Sequence, residues 1–241
     1  MTHEPLNEHG HSHAEIVARL DAKTDSTRLR DAIFGGIDGT VTTFAIVAGV
    51  QGAGLSPGIV VALGLANVLA DGFSMAAGNY SGTKAVSDDR RRLWKVEERH
   101  VRENPAGERD ELELILARKG LRGRVLKDAC DMITEDEEQW IAMMMAEEYG
   151  LPTVEERPIR AALVIFSAFV VAGMFPLFPY LLGLSTAFSW SIGLAAFTFF
   201  GIGAIKARWS LTPWWQSGLE TLLIGGLAAV LAFGVGRLFH P

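Results

Sequence analysis

One cysteine, Cys130, is present among 241 residues. A lone thiol excludes an internal disulfide and any zinc site built on several cysteines. Basic charge is not in excess: 22 Lys and Arg stand against 28 Asp and Glu, and the net charge of −6 argues against a nucleic-acid partner. The first 31 residues lack a short apolar core followed by a small-residue cleavage site, so no secretory signal is expected. There is no P-loop, no dinucleotide fingerprint and no plausible nucleophile–base–orienter set. We therefore expect neither an enzyme nor a prosthetic group.

Charge is what five stretches of the chain nearly lack: 32–54, 58–83, 161–183, 185–205 and 214–236. Each is close to the ~20 residues that cross ~30 Å of hydrocarbon as a helix. The mean hydropathy of +0.22 hides this segregation, because Lys84 to Arg160 holds 15 of the 22 basic and 19 of the 28 acidic residues. The expected fold is an all-α membrane protein: five transmembrane helices with a cytoplasmic helical insert between the second and third. The expected divisions are a polar, His-containing segment 1–31, spans 32–83, the insert 84–157 and spans 158–241. Basic residues fall in the N-terminal segment, the insert and the link carrying Lys206 and Arg208. With five spans these share one side, so the N-terminus and insert are expected in the cytosol and the C-terminus outside. A bacterial cytoplasmic membrane is the default.

Within the polar parts, His3, His9, His11 and His13 form a sparse cluster. It reads either as metal-binding imidazoles or as a tail with incidental histidines. The second span runs on past Thr83 without Pro or Gly until Asn104-Pro105, which ends one helix and opens the next. A third helix is expected over 122–133, and Thr134 to Glu137 has the form of a capping box opening a fourth.

Two carboxylates sit inside apolar runs: Asp38 in the first and Asp71 in the second, with Met75 one helical turn beyond Asp71. A charge at membrane depth costs several kcal/mol or about that, so it marks either an ion path or a helix–helix hydrogen bond. For the second reading, Gly35, Gly36 and Gly39 offer close approach between two copies. Glu220 in the fifth run reads either as a third such carboxylate or as an interfacial residue beside Trp214 and Trp215. In the insert, Glu97 and His100, and Glu108 and Glu111, are spaced i, i+3, while Met144 and Met145 precede Glu148 by one turn. The short Asn104-Pro105 turn brings the first two pairs together. Carboxylates with an imidazole and thioethers suit Fe²⁺, Mn²⁺, Zn²⁺ or Co²⁺ rather than Ca²⁺ or Mg²⁺. Solvated acidic helix faces and methionines as core filler are the alternatives.

These residues resemble the vacuolar iron transporter family. G-G-I-D-G-T-V-T-T (Gly35–Thr43) is similar to its D-G-L-V-S/T element, and D-G-F-S-M-A-A-G-N-Y (Asp71–Tyr80) to its S-M-A-x-G-E-[YF] element. E-N-P-A-G-E-R-D-E-L and K-G-L follow in the insert, and the likeness covers about residues 28–240. It implies a homodimer that moves Fe²⁺, often with Mn²⁺, out of the cytosol in exchange for protons. It further implies that Asp38 and Met75 line the membrane path, and that Glu97, Glu108, Glu111, Met144, Met145 and Glu148 collect metal. His100 stands where the family usually has an acid, and Asn79 replaces the acid after S-M-A-x-G. Asp71 stands where a small residue is usual, so a carboxylate is expected to have moved along the helix. The form without a fused ferritin-like domain is expected, because 31 residues cannot hold a four-helix bundle. A membrane-tethered metal sensor or scaffold is the competing function; an anchor needs no buried charge, and Asp38 and Asp71 count against it.

Overall fold

The computed structural model describes residues 12–21, 26–151 and 157–239, and every regular element among them is helical. A short helix, α1 (His13–Asp21), precedes α2 (Ser26–Gly52). The polar N-terminal segment 1–31 therefore includes α1 and the first turns of α2. His3, His9 and His11 lie outside the described residues. After the turn at Gly54, α3 (Pro57–Glu103) runs for 47 residues. At ~1.5 Å per residue that is about 70 Å, more than twice a bilayer core. The absence of Pro and Gly between Thr83 and Asn104 lets the helix continue out of its apolar half. Three short helices follow: α4 (Pro105–Arg118), α5 (Gly123–Thr134) and α6 (Glu137–Glu147). Then come α7 (Pro158–Leu181), α8 (Ala187–Lys206) and α9 (Trp214–Leu238), with a 3₁₀ turn at Ala207–Trp209.

Five helices are long and apolar enough to cross a membrane: α2, α3, α7, α8 and α9. These are the five expected from the sequence. Large apolar side chains such as Phe197, Leu227 and Val230 are 63–70% exposed on α8 and α9. Patches of that size are a liability in water and ordinary against lipid. Two separate cores hold the molecule. One lies among the spans, around Val47, Val68, Leu177 and Phe199; the other lies in the insert, around Leu112, Leu116, Ile141 and Met144.

α2 is the centre of the membrane part and packs against α7, α9, α3 and α8. Its closest partner is α7, and glycines permit the approach. A Cβ on Gly35 or Gly39 would collide with the carbonyl oxygen of Ile165 or Phe169, while one on Gly36 would press on Ile202 of α8. The expectation that these glycines serve contact between two copies is corrected: they serve packing within one chain. The helix-start signals also shift. Thr134 ends α5, its hydroxyl donating to the Cys130 carbonyl at 2.9 Å. Asp136 is the true cap of α6, accepting from the amides of Glu138 and Gln139 at 3.0 and 3.2 Å. Aspartate is as good a cap as threonine, and its placement gives α6 the register that buries Trp140, Ile141, Met144 and Met145.

The α2–α7 contact carries a direct test. Gly39→Ala is expected to lower the thermal unfolding temperature in detergent by several degrees, since overpacking costs about 1–3 kcal/mol. Gly226→Ala, where an added Cβ meets nothing within 4 Å, is expected to leave it unchanged or raised.

Candidate metal centre

Asn104 makes the turn that builds the site. Its amide N–H closes α3 on the His100 carbonyl at 2.8 Å, and its side-chain oxygen caps α4 by accepting from Gly107 N–H at 3.3 Å. Pro105 fills the first position of α4, where no N–H is needed. The chain reverses in this one step, and the first turn of α4 is laid beside the last turns of α3. Glu97, His100 and Glu108 converge there, offering one ligand atom each, all within 4.8 Å of one another. His100 Nδ1 lies 3.4 Å from Glu108 Oε1 and 3.7 Å from Glu97 Oε1.

Burial makes this more than a cluster of acids. Glu97 is 1% exposed and Glu108 5%, whereas His100 is open to solvent. Glu97 Oε1 accepts a hydrogen bond from the Tyr149 hydroxyl at 2.9 Å. The other oxygens, Glu97 Oε2 and Glu108 Oε2, are buried without a hydrogen-bond partner. Desolvated carboxylate oxygens without partners are costly, and a cation is the natural compensation. Burial raises the Glu108 pKa to about 7; Glu97, Glu111 and Glu148 push it the same way and His100 opposes them. The Glu148 pKa is also raised, first by burial and then by Glu97 and Glu111. Glu111 and Glu148 thus share the field of the cluster, although both are exposed. Two carboxylates and an imidazole in this setting suit a borderline divalent transition metal.

Met144 and Met145 are 0% and 3% exposed and belong to the insert core. They stand one turn before Glu148 on α6, which packs on α3. The core packing foreseen as an alternative role is therefore what their burial records.

The intramembrane residues form a polar seam between α2 and α3. The helices run antiparallel, and two hydrogen bonds and one electrostatic interaction follow one register. Asn79 donates to Asp31 Oδ1 at 3.0 Å, Asp38 lies close enough to Asp71 to interact with it electrostatically, and Asn67 donates to Thr42 Oγ1 at 3.3 Å. Thr42 in turn donates to the Asp38 carbonyl at 2.9 Å. Asp38, Asp71 and Met75 are half-buried, and Met75 sits one turn from both Asp71 and Asn79. Asp38 also faces an open groove whose end is lined by Arg30, Lys206 and Trp209.

Sequence reading missed two residues of these arrangements. Asp31, placed at the end of the polar N-terminal segment, is 3% exposed, with Oδ2 lacking a partner and Arg30 3.7 Å from Oδ1. Its signal was its position two helical turns before Asp38, on the same face of α2. The carboxylate beside Asn79 is thus Asp31, not the displaced Asp71. Tyr149 is the other, adjacent in sequence to Glu148. Glu220 is exposed, and Lys206 Nζ lies 3.4 Å from its Oε2.

The model of the VIT family matches residues 29–237. The chain is 33% identical to vacuolar iron transporter 1 of Oryza sativa subsp. japonica over 220 residues, covering 89% of this chain and 86% of that protein. It is 31% identical to vacuolar iron transporter 1 of Arabidopsis thaliana over 213 residues, covering 87% and 85%. With the vacuolar iron transporter of Toxoplasma gondii (strain ATCC 50861 / VEG) it shares 33% identity over 229 residues, covering 90% and 76%. Motifs, five apolar helices and matched length agree, and the chain belongs to the VIT family.

Proposed function

We propose that the chain exports Fe²⁺, and Mn²⁺ with it, from the cytosol in exchange for protons. Its family consists of transporters rather than enzymes, and relatives named as iron transporters support a divalent metal as cargo. The observation that most supports the reading is that a single unbroken helix, α3, carries Asp71 and Met75 in its apolar half and Glu97 and His100 near its C-terminal end. Met75 and Glu97 are separated by about 33 Å of rigid helix. The insert captures metal at Glu97, His100 and Glu108, with Glu111, Glu148, Met144 and Met145 around them. The seam of Asp38, Asp71 and Met75 passes it across the bilayer.

Exchange follows from the carboxylates. A carboxylate out of water holds a proton when no cation is near and releases it when a dication binds, which links the two flows. Met75 adds a soft ligand that favours borderline metals over Mg²⁺ and Ca²⁺. Basic residues on one side of the spans support an insert in the cytosol and a C-terminus opposite. The relatives are named for the vacuole, while the sequence reading takes a bacterial cytoplasmic membrane as its default. In either, cargo leaves the cytosol. Exposed Phe34 on α2, and Leu69 and Phe73 on α3, support a homodimer joined along these helices. A sensor that merely anchors itself gains nothing from the Asp38–Asp71 pair.

Proteoliposome flux tests the function. Fe²⁺ and Mn²⁺ uptake is expected to rise with an opposing proton gradient and to collapse with it. Asp38→Asn keeps the side-chain volume and removes the charge; it is expected to cut flux roughly tenfold or more while leaving metal binding by the insert intact. Wild-type flux in that variant refutes the exchange mechanism.

Metal titration of the whole chain tests the insert. Glu97→Gln/Glu108→Gln is expected to abolish the tightest Fe²⁺, Co²⁺ or Zn²⁺ binding event, and an unchanged stoichiometry would reject the site. The raised Glu108 pKa sets the pH dependence. Metal must displace its proton, so affinity is expected to fall as pH drops from about 8 through about 7 to 6. Metal-free stability runs the other way. The folded state keeps the proton up to about pH 7 and the unfolded chain releases it near 4.5, so stability falls as pH rises between those values. Glu108→Gln is expected to flatten both profiles, as read by titration calorimetry and thermal unfolding.

A further inference from the structure

Both ends of the insert return to the same place. α3 leaves the apolar zone near Tyr80 and α7 enters it at Pro158, and an open pocket lies between them. Lys84, Arg91, Arg157 and Arg160 line it, with Asp88 as its one carboxylate among the described residues. Asp88 is engaged by Lys84 at 2.7 Å. Among the described residues, Arg157 and Arg160 enter no ion pair, and both are exposed. Ser87, a buried residue, belongs to the same lining.

We propose that this pocket binds the phosphate headgroup of an anionic phospholipid in the leaflet on the insert's side. The proposal rests on reading the five apolar helices as membrane spans. Depth is the first argument. Tyr80 is an interfacial aromatic by position, and Lys84 lies one turn beyond it, about 6 Å further out, at the level of lipid phosphates. Arg157 and Arg160 flank the start of the α7 span at the same boundary. Charge is the second. A basic pocket between transmembrane helices at the headgroup level is complementary to an anionic lipid, and guanidinium groups bind phosphate bidentately. The third is the neighbouring apolar surface: Ile159, 65% exposed between the two arginines, offers an acyl chain a contact that free phosphate would not use. A lipid held here bridges the two segments that connect the insert to the spans, and so fixes the insert's position over the bilayer.

The test is lipid retention by the full chain in neutral detergent, read by native mass spectrometry. Phosphatidylglycerol is expected to be retained at least tenfold more tightly than phosphatidylcholine. Arg157→Gln/Arg160→Gln is expected to reduce the phosphatidylglycerol affinity about tenfold or more, from a loss of ~1 kcal/mol per basic residue. Arg157→Lys/Arg160→Lys is expected to keep most of it, and Arg124→Gln, on the exposed surface of α5, to keep all of it. Equal retention of the two lipids, or unchanged retention in the Gln pair, overturns the proposal. Equal loss in the Gln and Lys pairs overturns it too, since charge would not then be the cause. Displacement of the lipid by an equal concentration of inorganic phosphate assigns the pocket to free phosphate and removes the lipid. None of these readouts depends on metal transport, so their failure is distinct from failure of the proposed function.

Discussion

A carboxylate removed from water must find a proton, a hydrogen-bond donor or a cation, and this molecule places several where water is scarce. Two lie in the insert, at Glu97 and Glu108, and each keeps one buried oxygen without a partner. Asp31 does the same at the end of the seam nearer the insert. Asp38 and Asp71 lie within electrostatic reach of one another further along the spans. The rest of the architecture serves to hold these groups. Glycines bring α7 against α2, Asn104 reverses the chain beside His100, and Tyr149 donates to one oxygen of Glu97 and leaves the other.

α3 turns these separate sites into one device. One continuous helix, α3, joins Glu97 and His100 of the insert to Asp71 and Met75 among the spans without an intervening break. The seam partners of α3 all belong to α2, which is itself clamped by α7 and α9. The proposed metal capture in the insert and the proposed proton exchange in the membrane would thus share one mechanical element. The phosphate pocket, where Lys84 of α3 meets Arg160 of α7, lies at the point on that element where the bilayer ends.

The number of spans and the length of α3 were legible because both rest on local rules: apolar length, and the run without Pro or Gly after Thr83. The Asn104 turn was legible for the same reason, and with it the meeting of Glu97, His100 and Glu108. What depended on packing was not. Gly35 and Gly39 look the same in sequence whether they face another copy or α7. Thr134 and Asp136 are both acceptable caps, and only the register that buries Trp140 and Ile141 chooses between them. Asp31 was missed because it follows a charged segment; its burial arises from α3 crossing over it and Asn79 reaching it. Met144 and Met145 are legible as apolar or as ligands, and their position in the insert core is a tertiary fact.

We propose that a transition-metal ion balances the buried carboxylates of the insert. Anomalous diffraction from crystals of the full chain grown with Mn²⁺ tests it most directly. A peak is expected within bonding distance of Glu97, His100 and Glu108 at neutral pH, and its loss when the crystals are brought to about pH 5.5, where Glu108 takes up a proton. Mn²⁺ bound only at exposed acids, with nothing between these three side chains, would contradict it.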